Sequence, residues 1–289
     1  MAIEHISTGV AVRLAARKGT LTGVTSSSLA PSFLQANLIV LPSRYAADFR
    51  LICARNPVPC PLLAESSQIG SYDSLESHLA GLTGQQIASD IDIRHDAPRY
   101  MVYRDGVLSA SHVENIAAEW SEDHVAFLIG CSYSFETALI KAGFPPRHTF
   151  MQRNVPMYRT NIPLCPAGVF TGATYVVSMR PYRRSGIEQV RDITRRFVAT
   201  HGEPIAWGWN GMKDLGISDI NKPDWGDAPL ELDGQPLDRS NDDIVPVFWG
   251  CGVTPQEAVM RAGLKGTVLG HAPGHMILLD VKDEDVFSI

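Results

Sequence analysis

The 289-residue sequence has no apolar run approaching the ~20 residues that span a bilayer, so no membrane partner is expected. Its start lacks the charged stretch, apolar core and cleavage site of a secretory signal. It lacks GxGxxG and P-loop patterns, so a nucleotide is not indicated and no cofactor is expected. It lacks basic excess: a net charge of −6 argues against nucleic acid as a partner. Cysteine is scarce, five residues at irregular spacing, which speaks against a disulfide framework and predicts reduced thiols in a cytoplasmic protein. Cys53 and Cys60, separated by ARNPVP, match no usual zinc spacing and read as structural. Low-complexity tracts and flexible linkers are absent as well. With 45% hydrophobic content, the chain can bury a substantial core. One catalytic unit is expected over 1–289, built from packed lobes at about 1–165 and 166–289. Assembly into a homo-oligomer is left open.

What is present is a repeat. Residues 122–143 read EDHVAFLIGCSYSFETALIKAG and residues 242–263 read DDIVPVFWGCGVTPQEAVMRAG. Gly130, Cys131, Ala138, Ala142 and Gly143 recur, without a gap, as Gly250, Cys251, Ala258, Ala262 and Gly263. VAFLIG and VPVFWG have the composition of buried strands. Ser134 or Thr254 then suits a helix N-cap, with Glu136 or Gln256 in the first turn and Pro255 at the first helical position. Gly143 and Gly263 suit left-handed C-terminal positions. The pattern predicts a mixed α/β fold with two pseudo-equivalent lobes from an internal duplication, mixed sheets, and Cys-bearing helix N-termini facing a central cleft. A thiol ahead of a helix N-terminus is expected to have a lowered pKa. The alternative is that each cysteine is simply a small buried hydrophobe at a strand end.

Elsewhere, residues 44–54 and 186–198 have helical periodicity, TYVVSMRP (174–181) reads as a strand, and MVYRDG (101–106) as a strand with an Asp-Gly turn. VLGHAPGHMILLDV reads as a tight turn entering a final strand.

The segments LAPSFLQANLIVLP, RNPVPCPLL, APRYMVYRDG, IGCSYSFE, RNVPMYRTNI, PAGVF, VVSMRP, PDWGD, VPVFWGCGVTPQ and HAPGHM resemble the DUF1445 (UPF0317) family, which carries a hydro-lyase label. A similar segment occurs in a protein named for D-glutamate cyclase. The resemblance covers roughly residues 20 to 281 and implies an enzyme of mixed α/β fold, without naming a substrate. It also implies a histidine and an aspartate where HGEPIAWGWN here has Ala206 and Trp209. If those positions touch substrate, this chain has a different specificity or a more apolar pocket; Trp207 and Trp209 as a surface plug is the alternative.

Candidate site residues follow from chemistry. NVPMYRTNI concentrates hydrogen-bonding groups in Asn154, Tyr158, Arg159, Thr160 and Asn161, and arginine grips a carboxylate with two parallel bonds; a self-satisfied polar loop is the plain alternative. Arg180, ending VVSMRP, is a second carboxylate binder or a surface ion pair. Ser132, Ser134, Glu136, Thr254 and Gln256 flank the cysteines. His148 lies beyond the first helix. His271 and His275 have metal-like spacing, but the Ala-Pro-Gly between them opposes a helix, so no metal is expected and proton transfer or hydrogen bonding fits better.

Cys131, Cys251, His148 and His275 are thus the expected catalytic groups, acting on a small-molecule carboxylate. Three functions compete. The first is a cofactor-independent lyase that removes the proton α to a carboxylate. The second is a two-cysteine racemase, epimerase or glutamate cyclase. The third is a serine hydrolase, and a non-catalytic small-molecule binding or regulatory protein also stands. GCSYS approximates a nucleophile elbow around Ser132, but its final glycine is missing and the second copy has Gly252 at the serine position.

Overall fold

The computed structural model describes residues 6–21 and 23–287. Its strands are β1 (Phe33–Pro42), β2 (Leu62–Ser66), β3 (Leu75–Ser77), β4 (Tyr100–Arg104), β5 (Val107–Val113), β6 (His124–Gly130), β7 (Met157–Pro163), β8 (Thr174–Arg183), β9 (Ala206–Trp207), β10 (Ile244–Gly250), β11 (Thr267–His271) and β12 (Ile277–Lys282). The helices are α1 (Gly9–Arg17), α2 (Ala46–Arg55), α3 (Gly84–Ile87), α4 (Glu136–Lys141), α5 (Arg147–Phe150), α6 (Ile187–Arg195), α7 (Gly208–Asp214) and α8 (Val253–Ala262).

The fold is mixed α and β, with two sheets. The larger runs β3-β2-β6-β1-β11-β4-β5, with β12 also on β1; the smaller runs β7-β8-β10-β9. The expectation of mixed sheets is corrected: every pairing is antiparallel. Several neighbours in the sheets are consecutive in the chain, β2–β3, β4–β5 and β7–β8, and direct returns of this kind make antiparallel pairs. The tightest return is the Asp105–Gly106 turn between β4 and β5, where both residues have positive φ, 49° and 81°. The sheets do not divide at residue 165, because β11 and β12 return to the larger sheet beside β1 and β4.

Strand β1 is buried along nearly its whole length because both faces are covered. Leu34, Ala36, Leu38 and Val40 join one core cluster, while Ile39 and Leu41 join another. The same local arrangement appears in each sheet. A ten-residue strand, β1 or β8, lies antiparallel to a strand that runs directly into a cysteine, β6 or β10, with Ala36 opposite Gly130 and Val177 opposite Gly250. Each leads into a 3₁₀ turn and a helix, α2 or α6.

After each cysteine the chain changes sheets. Phe135 and Leu139, downstream of β6, pack with Val177, Met179 and Val247 of the smaller sheet. Ala258 and Val259 of α8, downstream of β10, pack with Ile39, Leu41 and Phe127 of the larger one. Both cysteines lie at these crossings, in a cluster with Tyr133, Val155, Met157, Val176 and Met276. Gly143 and Gly263 take the left-handed conformation, with φ of 85° and 57°.

No helix among the described residues is long and apolar enough to cross a membrane.

Candidate functional site

Cys131 and Cys251 line one small cavity of about 30 Å³, together with Asn37, Ser132, Tyr133, Gln256, His271 and Met276 among others. That is room for no more than a water or two. Met157, Val253, Gln256, His271 and Pro273 also line a neighbouring pocket of about 290 Å³. The two spaces therefore share a wall, and the thiols line the smaller one.

The surroundings of the thiols correspond. The backbone amide of Tyr133 favours the Cys131 thiolate, and that of Val253 does the same for Cys251. Burial outweighs both: it pushes Cys131 up to about 12 and Cys251 up to about 11, against the amides and the Arg180 charge. The expected lowering is thus reversed, because one backbone amide and a nearby charge do not replace lost water. Ser134 and Thr254 are not N-caps. Ser134 Oγ accepts from Gln35 N–H at 3.0 Å and Thr254 Oγ1 from Val176 N–H at 3.0 Å, tying each cysteine turn to the strand beside it. Asn37 holds the two turns together: its Nδ2 donates to Gly130 O at 3.1 Å, and an added Cβ on Gly252 would meet that nitrogen at 2.0 Å.

Arg180, 0% exposed, lies behind this chamber. It donates to Ser132 Oγ (3.1 Å), Ser178 Oγ (3.0 Å) and the Glu136 carboxylate. His148 Nε2 is 3.2 Å from the same carboxylate, and the His148 ring stacks on Tyr133. Burial opposes ionisation of Glu136, but His148 and Arg180 hold its pKa below the usual value. Arg180 is neither a surface ion pair nor a free carboxylate grip.

His271 sits where chamber and pocket meet. Its Nδ1 accepts from Leu38 N–H at 3.1 Å and lies 2.9 Å from Gln256 Nε2. Burial drops its pKa to about 4, so the ring is neutral with its proton on Nε2. His275 lines neither space. Its Nδ1 contacts Pro273 O at 2.8 Å and its ring faces His112. His148 lines neither space as well.

Of NVPMYRTNI, Met157 and Arg159 reach the pocket, because side chains alternate along β7. Tyr158 and Thr160 point the other way, donating to Ile220 O at 2.6 Å and Tyr175 O at 3.0 Å. Asn161 donates to Asp214 O, and Asn154 lines a separate crevice with His148. Arg159 is engaged by Glu257 through Nε (2.9 Å) and a terminal nitrogen (3.1 Å), and by Asp224 at 2.6 Å, with Trp225 beneath it at 4.3 Å. Ala206 and Trp209 lie away from the cavity: Ala206 pairs with Phe248 at the sheet edge, and Trp209 packs into the smaller sheet's core.

Asn37, Met157, Glu257 and Trp225 were not singled out from sequence. Asn37 had a signal, being a lone amide inside a strand-like apolar run. The others had none, since pocket lining depends on which face of an element is turned inward.

The D-glutamate cyclase family model matches residues 125–280. Relatives with a provisional hydro-lyase name occur in Schizosaccharomyces pombe (47% identical over 86% of this chain and 76% of the other), Jannaschia sp. (42%, 98% and 97%) and Bordetella petrii (45%, 95% and 94%). A solved nitrogen repressor-like protein from Methanococcus jannaschii aligns over 98% of this chain and 99% of its own, at a TM-score of 0.38 and 10% identity, too weak a likeness to bear on fold or function. With a family model covering more than half of its length and relatives this similar along most of it, the chain belongs to the D-glutamate cyclase family.

Proposed function

We propose that this protein is a cofactor-independent lyase that removes water from a small carboxylic acid, with Cys131 and Cys251 as its acid–base pair. The observation that carries the reading is that both cysteines, in matching surroundings, line one cavity adjoining a larger pocket. The matching also supports an internal duplication and a single catalytic unit.

In the resting chamber both groups are thiols, since burial raises them to about 12 and 11. A thiol is ready to act as the acid; the base must first lose its proton to water, a loss that the buried Arg180 charge and the backbone amides favour. The thiolate then takes the proton from Cα. The electron pair forms the Cα–Cβ double bond, the Cβ–oxygen bond breaks, and the opposed thiol protonates the departing hydroxyl to water. His271 Nε2–H and the Gln256 amide, at the junction of the two spaces, hold the carboxylate as negative charge develops on it.

The family description favours a second reading, cyclisation of a glutamate. There the amine attacks the side-chain carboxyl and water leaves, so a hydro-lyase name suits it too. In a racemase, the second thiol would instead return a proton to Cα.

The deciding experiment is α-proton exchange in D₂O followed by NMR. It uses amino and hydroxy acids including both glutamate enantiomers and 5-oxoproline, for wild type, Cys131→Ala and Cys251→Ala. Exchange that falls at least about 100-fold in both folded variants, within the range for losing an acid or base, is the expected result. The product separates elimination, cyclisation and epimerisation. Undiminished turnover in both variants overturns the thiol mechanism and favours cysteines that only pack.

A further inference from the structure

The two cysteine turns match in backbone but not in charge. At the offset that brings Cys131 onto Cys251, Glu136 falls on Gln256, so a carboxylate in one copy stands where the other has a neutral amide. Glu136 is 2% exposed. It accepts from Arg180 Nε at 2.9 Å and lies 3.2 Å from His148 Nε2, and these partners keep it ionised. Little water reaches that charge to screen it. It opposes a thiolate at Cys131 but not at Cys251, whereas Arg180 favours a thiolate at both. On the chamber wall, His271 is neutral and burial keeps the Tyr133 phenol protonated. Arg180, and Glu136 with His148 beside it, are therefore the charges that bear on the thiols.

The larger pocket is one-sided in the same sense. Val253, Gln256, Glu257, Val259 and Met260, from the turn and helix that follow Cys251, line it. Ser132 and Tyr133, which follow Cys131, line the chamber but not the pocket. A substrate too large for the chamber thus lies against the Cys251 side.

We propose that Cys251 is the base and Cys131 the acid, and that Glu136 is the positioning residue that makes the two thiols unequal. Cys251 loses its proton to water, and its thiolate takes the proton from Cα. Cys131 then gives its proton to the departing hydroxyl, and a thiolate at Cys251 beforehand helps to keep it protonated for that step. One turnover leaves Cys251 a thiol and Cys131 a thiolate; passage of one proton from Cys251 to Cys131 through solvent restores the start. The assignment rests on the proposed function, but its test reads thiol ionisation without any substrate.

The probe is methyl methanethiosulfonate, which converts a thiolate to a methyl disulfide and releases methanesulfinate. Its rate at each cysteine of the wild-type protein would be read by peptide mass spectrometry. Cys251 is expected to react about threefold faster than Cys131, a roughly tenfold larger thiolate fraction being offset in part by lower nucleophilicity. Glu136→Gln should bring the two rates within about twofold of each other, while Glu136→Asp, which keeps the charge, should retain the preference. The wild-type order needs no variant. Faster reaction at Cys131, or a ratio that a folded Glu136→Gln leaves unchanged, overturns the assignment and leaves the two-thiol lyase standing. Rates at both thiols no greater than at Cys60, which is enclosed in the core, would mean a chamber closed to small molecules and overturn both. The expected order and its loss in Glu136→Gln, without α-proton exchange on any acid, would sustain the role of Glu136 and count against the lyase chemistry alone.

Discussion

At the scale of single residues, burial governs the titrating groups. His201 is enclosed, with Nδ1 2.8 Å from Val58 O, and burial holds its pKa at about 4. His271 is held at about 4 for the same reason. An unfolded histidine titrates near 6.5, so between pH 6.5 and 4 the unfolded chain binds more protons and stability falls as pH falls. Each histidine contributes up to about 3 kcal/mol of such loss by pH 4. Asp283, raised to about 7 by burial, acts in the opposite sense, so the comparison must isolate one group. His201 has φ of 88°, a conformation asparagine tolerates. Urea unfolding of wild type and His201→Asn should show the variant gaining relative stability as pH drops from 6.5 to 4.5; a constant difference would refute this. Cys131 and Cys251 were legible in the sequence because a repeat compares two environments at once. Tyr158 and Thr160 were not placed correctly, since composition marks a polar-rich segment and only strand alternation decides which side chains face the pocket. His275 lines neither space although its neighbours Gly274 and Met276 line the chamber, and the His148 ring meets the chamber only by stacking on Tyr133.

At the scale of elements, the two cysteine turns are set by close approach. Gly130 lies against the Ala199 carbonyl, where a Cβ would come within 2.0 Å, and Gly252 lies against Asn37 Nδ2 at the same spacing. Gly252→Ala should therefore force Asn37 out of its bonds to the first turn and cost about 2 kcal/mol or more. Asn37→Ser makes room, so the double variant should lose clearly less than the sum of the single losses in denaturant unfolding. Strict additivity would mean that Asn37 is not what fixes the spacing. The strand–turn–helix form of these segments was readable from composition and glycine placement. The latches were not: Ser134 and Thr254 look like helix caps in sequence, and only the neighbouring strands reveal that their hydroxyls bond to Gln35 and Val176.

At the scale of the whole molecule, each sheet is covered by the helical segment that follows the other sheet's cysteine strand. Neither sheet keeps its core if the other comes apart, so one unfolding transition is expected. Two variants each retaining one tryptophan, Trp120 beside the larger sheet's core or Trp249 within the smaller one's, should give the same urea midpoint, whereas separated midpoints would indicate independent lobes. The mixed α and β class was evident from the alternation of strand and helix signals. The return of the last strands was not, because nothing in β11 or β12 names its partner. That return sets a timetable for synthesis. Strand β1 takes β6 on one side, but its other edge waits for β11 and β12, with Ile39 opposite Gly270 and Gln35 opposite Leu278. On the ribosome, the middle strand of the larger sheet therefore keeps an open, sticky edge until β11 and β12 have emerged.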